Sequence, residues 1–253
     1  MAREIQQALL PQQYPHIPAN ADGGEGWLRF SHCYQPAGAV SGDFFHVQSI
    51  SETAAGVFIC DVMGHGVRSA FITAMLRALV EELRPLGNDP GELLTQMNCE
   101  LRSILRQTGG PMYATAFYLM ADVNTGEIRY AKAGHPNPLH LRRAAESLAP
   151  LSCAAGTQGP PLGLFDGSRY KTNTSSLGAG DVILFYTDGV HEVFDPNNGE
   201  FGDEGLHAAI LKRRSLPLDS LLNGVVSDAR DFSGNSHFSD DVCLVGMELI
   251  QRG

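Results

Sequence analysis

Five aspartates stand where apolar runs begin or end. Asp61 closes the run Gly56-Val57-Phe58-Ile59-Cys60 and opens Asp61-Val62-Met63-Gly64-His65-Gly66. Asp43 sits in Ser41-Gly42-Asp43-Phe44-Phe45, Asp188 follows Val182-Ile183-Leu184-Phe185-Tyr186-Thr187, and Asp240-Asp241 precede Val242-Cys243-Leu244-Val245. A carboxylate at the end of a core strand is costly to desolvate unless a basic side chain or a metal ion neutralises it. No Lys or Arg falls between Asp43 and Arg68, so a cation is the more economical partner there. Any one of these acids alone reads as a turn Asp capping its own backbone. Their recurrence at strand ends from residue 43 to residue 241 argues for a shared ligand, if the ends converge.

Carboxylates, main-chain carbonyls and water select hard cations. Mg²⁺ or Mn²⁺ is therefore favoured over zinc, whose Cys and His ligands are not clustered here. Two such ions sharing one Asp hold a water, lower its pKa and aim it at a phosphorus or carbonyl centre, which is hydrolase chemistry.

The elements that must bring these acids together are legible in outline. An amphipathic helix is expected over Ala2 to Leu10, stopped by Pro11 and Pro15. Strands are expected at Leu28 to Tyr34, Asp43 to Ile50 and Ala54 to Asp61, arranged as an antiparallel meander, and helices at Val67 to Leu83 and Gly91 to Gln107. Asn124-Thr125-Gly126 joins strands Tyr113 to Val123 and Glu127 to Ala133 as a hairpin. Shorter strands at Pro138 to Leu141, Arg169 to Ser175 and Asp181 to Thr187 lead to helices at Gly202 to Arg213 and Leu218 to Phe232 and a last strand at Val242 to Leu249. Strands in blocks and helices in blocks indicate an α+β fold, helices covering antiparallel sheets.

The chain of 253 residues is long enough to bury a sizeable core. Lys and Arg number 18 against 28 Asp and Glu, a net charge of -10, and no basic run is present, which argues against nucleic acid as a partner. Five widely spaced cysteines, Cys33, Cys60, Cys99, Cys153 and Cys243, do not suggest a disulfide framework and fit a reducing cytoplasm. No apolar stretch approaches the roughly 20 residues of a membrane span. The expected organisation is a linker or regulatory helix over residues 1–19 and one catalytic domain over 20–253, standing alone or as the cytoplasmic piece of a larger sensor.

The ordered set Ile5-Gln6…Leu9-Leu10-Pro11, Gly42-Asp43-Phe44-Phe45, Asp61-Val62-Met63-Gly64-His65-Gly66, Ala133-Gly134-His135-Pro136, Tyr186-Thr187-Asp188-Gly189-Val190…Glu192, Phe201-Gly202 and Asp240-Asp241 resembles the metal-dependent protein phosphatases (PPM, type 2C), above all their RsbU/SpoIIE branch. The resemblance implies a four-layer α-β-β-α sandwich of two antiparallel sheets with two Mn²⁺ or Mg²⁺ ions at one end. It implies that Asp61 bridges both metals and that the Val62 carbonyl and Asp43 bind the second. Asp188 and Asp240 hold the first, with Asp241 as the alternative to Asp240. The reaction implied is hydrolysis of phosphoserine or phosphothreonine by a water the two metals activate. The partner implied is a phosphorylated STAS-type anti-sigma-factor antagonist, with control by an upstream sensor or by homodimerisation through the N-terminal helix.

Two positions depart from that branch. His46 stands where a second Asp is usual and is expected to face solvent or a neighbouring carboxylate, and Cys243 replaces a common Thr. His65 has two readings, a proton donor to the leaving group or a histidine that merely fits the Gly-rich turn. His135 reads as a turn residue bonding the backbone, Thr157 to Gly163 as a surface loop, and Arg68 as phosphate-reaching or solvated. Two other functions stay open, a phosphatase-like module that binds without turnover and a small-molecule phosphoesterase. The second would need base-stacking aromatics and a basic pocket, and none stands out among 12 Phe, 7 Tyr and 1 Trp.

Overall fold

The structure, a computed structural model, describes residues 2–19, 27–64, 66–106, 112–235 and 237–250. Its strands are β1 (Leu28–Gln35), β2 (Asp43–Ser49), β3 (Ala54–Val62), β4 (Ala114–Asp122), β5 (Glu127–Ala133), β6 (Leu139–Arg142), β7 (Ser147–Pro150), β8 (Asn173–Ser176), β9 (Val182–Tyr186) and β10 (Val242–Leu249). Its α-helices are α1 (Ala2–Leu9), α2 (Val67–Glu82), α3 (Pro90–Leu105), α4 (Gly202–Lys212) and α5 (Leu218–Ser233).

Two five-stranded antiparallel sheets result, one ordered β1-β10-β9-β6-β7 and the other β2-β3-β4-β5-β8. Strands that lie inside a sandwich need apolar side chains on both faces, and β9 and β10 are buried along their whole length. The two sheets pack face to face, with Phe117 of β4 meeting Phe185 of β9 edge to face at 6.2 Å between ring centres. Helices α2 and α3 cover the β2–β8 sheet through Leu76, Val80, Leu93, Met97 and Leu101, while α4 and α5 cover the other through Leu206, Ile210, Leu222 and Val225. Burying each such side chain contributes on the order of 2 kcal/mol.

Local chemistry sets the element ends. Asp89 caps α3 by accepting from the Glu92 amide at 3.3 Å, with Pro90 in the first turn. Asp122 takes the Asn124 amide at 2.9 Å in the β4–β5 hairpin, and Gly126 there has φ 66°.

The expected meander is wrong in one strand. β2 and β3 do form a hairpin, with Asp43 opposite Asp61, but β1 pairs with β10 in the other sheet. Alternating burial cannot tell which partner a strand takes. A carboxylate far along the chain supports the observed pairing: Asp241, just before β10, accepts from the Ala37 amide and the Gly42 amide, both at 2.8 Å. Those two bonds fold the β1–β2 connection across the end of the sandwich. β7, short and half exposed, had no signal in the sequence, and β8 occupies only the last part of the stretch expected from Arg169 to Ser175.

Helix α1 packs on α2. Its Gln6 is buried, donating to the Ser41 carbonyl at 2.6 Å and accepting from the Ser41 amide at 2.8 Å. Among the described residues no helix is long and apolar enough to cross a membrane, and all five cysteines are free.

Candidate metal centre

The acids expected at strand ends meet at one end of the sandwich. Asp43 and Asp61 are directly opposite across β2 and β3, and Thr115 of β4 is opposite Asp61. The three thus form a row on one face of the sheet, because directly paired residues share a face. It is the face that carries Phe117 toward the other sheet. From that other sheet β9 delivers Thr187 and Asp188, and the residues before β10 deliver Asp240 and Asp241.

Close approach at two glycines makes the convergence possible. A Cβ on Gly42 would lie 2.7 Å from the Val62 carbonyl oxygen and 3.4 Å from Asp61 Oδ1. A Cβ on Gly189 would lie 2.0 Å from the Asp241 carbonyl oxygen, an impossible contact that only glycine avoids. Gly64 and Gly66, at φ 82° and 90°, turn the chain from β3 into α2 through backbone conformations that disfavour side chains.

The electrostatics are those of uncompensated like charges. Burial and then the charge of Asp61 push the Asp43 carboxyl well above the usual range, against the hydrogen bond from Thr187. Asp61 is pushed up to about 7 by burial, then by Asp188, Asp240 and Asp241. Asp188 is raised by burial and by Asp240. Among the described residues the charges acting on these three are carboxylates, His191 beside Asp188 excepted. No three of the described acids stand close enough to grip one ion as they are placed, yet donors that are all oxygen, with no Lys or Arg among the described charges acting on them, are of the kind a hard divalent metal takes.

Asp240 and Asp241, which the sequence left as alternatives, differ in what their oxygens already do. Both oxygens of Asp241 are engaged by the Ala37 and Gly42 amides, and the residue is buried. Asp240 is exposed, and its one described bond is to the neighbouring Asp241 amide, at 2.7 Å. Val62 turns its main chain to Gly42, whose carbonyl accepts from the Val62 amide at 3.1 Å. His65 lies outside the described residues.

His46 does not reach this end. It is 6 % exposed, on the opposite face of β2 from Asp43, with Nε2 3.3 Å from Glu81 Oε1 on α2. Arg77 meets the same carboxylate at 2.9 Å, and burial with Arg77 pushes the imidazole down to about 4. The expected neighbouring carboxylate is present; solvent exposure is not. Arg68 is exposed on the first turn of α2. The Thr157 to Gly163 loop is stitched to the sheet by bridges from Gly159 to Ala133 and from Leu162 to Ala114.

Sequence reasoning missed Thr187. Its hydroxyl donates to Asp43 Oδ2 at 2.6 Å and accepts from the Cys243 amide at 3.1 Å, tying the two sheets together beside the carboxylates. Its place between Tyr186 and Asp188 was the available signal. It also missed Thr115, a threonine in a strand with nothing in its neighbours to mark it.

Comparison with known proteins gives a concordant result. The family described as stage II sporulation protein E (SpoIIE) matches residues 51–250. The phosphoserine phosphatase RsbP of Bacillus subtilis (strain 168) is 28% identical over 225 residues, covering 85% of this chain and 51% of that protein. Among solved structures, the RsbU and RsbW domains of Rv1364c from Mycobacterium tuberculosis superpose with a TM-score of 0.74 at 26% identity, covering 89% of this chain and 61% of that one. The catalytic domain of the serine/threonine phosphatase PstP, solved with two manganese ions, shares the fold at a TM-score of 0.64 and 15% identity, over 88% of this chain and 99% of that one. The chain spans about half the length of the curated relatives it matches.

Proposed function

The chain belongs to the SpoIIE family of PP2C-type serine/threonine phosphatases, and from that premise we propose that it is a Mn²⁺- or Mg²⁺-dependent phosphoserine/phosphothreonine protein phosphatase. The observation that carries this reading is that Asp43, Asp61, Asp188 and Asp240 lie near enough at one end of the sandwich to act on one another's charge, with no Lys or Arg among the described charges acting on them. Asp61, Asp43 and the Val62 carbonyl, with Asp188 and Asp240, are the groups that would hold the ions. Asp241 is a structural carboxylate. Such ions would supply activation of a water and neutralisation of charge on the transferring phosphoryl group.

The chain's own residues do the rest. Thr187 fixes the rotamer of Asp43, and Asp241 holds the Ala37–Gly42 loop against the site. His65 is proposed to protonate the leaving serine or threonine oxygen. The substrate is proposed to be a phosphorylated STAS-type regulatory protein, as a relative named a phosphoserine phosphatase and a neighbour pairing RsbU with RsbW domains suggest. Residues 1–19 are proposed as a regulatory linker and dimer helix, 20–253 as the phosphatase domain, and the compartment as cytoplasmic.

The test is hydrolysis of a phosphoserine protein substrate and of p-nitrophenyl phosphate with Mn²⁺, with Mg²⁺ and with chelator. Metal-dependent turnover lost in Asp188→Asn supports the reading. Folded protein that binds Mn²⁺ without turnover would favour the binding module instead.

A further inference from the structure

His135 lies beside the carboxylates, yet the chemistry above gives it nothing to do. It follows Gly134, whose φ is 72°, and is 1 % exposed. Its Nδ1 is 2.8 Å from the Thr115 hydroxyl oxygen. Its Nε2 is buried with no hydrogen-bond partner among the described residues, and the Tyr186 main chain lies close enough to act on the ring. Burial and then the charge of Lys132 push it down to about 3, so the ring is neutral in any ordinary buffer.

The two neighbours of that ring matter because of where they sit. Thr115 is the cross-strand partner of Asp61 in one sheet. Tyr186 stands two residues before Asp188 in the other. The ring therefore reaches from the strand beside Asp61 toward the strand that leads to Asp188. At the far side of the same row Thr187 makes the corresponding tie, from the second sheet to Asp43. Between these ties the inner faces end in carboxylates that repel, Asp188 being the largest charge acting on Asp61. Apolar packing cannot fix the spacing of the sheets there.

We propose that His135 is a positioning residue, a buried strut that reaches from the Thr115 hydroxyl toward the Tyr186 main chain and sets the separation of Asp61 from Asp188 and thereby the affinity of the site for its metal. The inference rests on the metal-centre reading and adds to it a residue that touches neither metal nor substrate. Groups that hydrogen-bond a metal's ligands change its affinity by about 10- to 100-fold when removed, and the same range is expected of this strut because it sets the gap between two ligands. Ligand positions must hold to within about 0.2 Å for a metal site to form, so a small loosening of the gap is enough.

The experiment is calorimetric titration of Mn²⁺ into the native chain, His135→Gln, Thr115→Val and Thr115→Ser, with unfolding of each in chelator measured alongside. Thr115→Val, nearly isosteric, removes the hydroxyl that His135 meets, and Thr115→Ser keeps it. The expected result is Mn²⁺ affinity weakened about 10- to 100-fold in His135→Gln and Thr115→Val, and near native in Thr115→Ser. A merely structural histidine would lower the unfolding temperature while the folded variants bind Mn²⁺ as the native chain does, and that result overturns the proposal alone. Should His135→Gln fail to fold, the Thr115 pair decides the matter by itself. A folded native chain that takes up no Mn²⁺ overturns the metal centre and this proposal together.

Discussion

Asp61→Asn should make the metal-free protein more stable while removing its response to metal. Moving the Asp61 carboxyl from 3.8 to about 7 is roughly three units, which at about 1.4 kcal/mol per unit amounts to about 4 kcal/mol of repulsion and desolvation. Asp61 is only partly buried, so solvent screening reduces this, and about 2 kcal/mol is the expected gain on neutralisation. The sign follows from linkage. With its folded pKa raised, the folded chain keeps a proton that the unfolded chain releases as pH rises from about 4 to 7, so metal-free stability falls across that window. The gain from Asn is therefore full at pH 8 and smaller at pH 5. For a chain of this length about 2 kcal/mol corresponds to roughly 4–8 °C in unfolding temperature. The assay is thermal unfolding of both proteins in chelator at pH 5 and pH 8, repeated with excess Mn²⁺. Mn²⁺ should stabilise the native chain and leave Asp61→Asn unmoved. A variant less stable than the native chain in chelator at pH 8, or a difference that does not grow with pH, would refute the argument that Asp61 is held at a cost for a cation.

The adjacent acids should separate cleanly. Asp240→Asn should abolish Mn²⁺-dependent hydrolysis with little effect on unfolding, whereas Asp241→Asn should cost about 2 kcal/mol of stability, read from denaturant titration, because it replaces one of the two accepting oxygens with a donor that faces a main-chain N–H. Gly189→Ala should destabilise the fold and eliminate activity together, because its Cβ would fall 2.0 Å from the Asp241 carbonyl oxygen; a stable, active Gly189→Ala would disprove that close approach. His46→Asp should leave Mn²⁺ affinity by calorimetry unchanged, since the position faces Glu81 and Arg77 on α2, away from Asp43.

The positions of most strands and helices, and the aspartates that end the strands, could be read from the chain itself. Hydrophobic periodicity and turn residues are local properties, and a carboxylate closing an apolar run is visible wherever it occurs. Thus Val67–Glu82, Glu127–Ala133 and Val242–Leu249 fall within a residue or so of expectation. Pairing is not local. Nothing in Leu28–Gln35 says that it lies beside β10 in preference to β2, because that choice depends on contacts across the fold, the Asp241 carboxylate reaching back to Ala37 and Gly42 among them. The same bonds separate Asp241 from Asp240, two identical residues that sequence can only set side by side. His46 shows the limit of motif spacing, since three residues along a strand from Asp43 is the other face of the sheet. Thr187 and Thr115 acquire their importance only when a second sheet brings a partner within hydrogen-bonding reach. The sequence by itself determined which groups were available for a hard cation. The tertiary structure decided which of them face one another, because like charges converge only where packing elsewhere holds them.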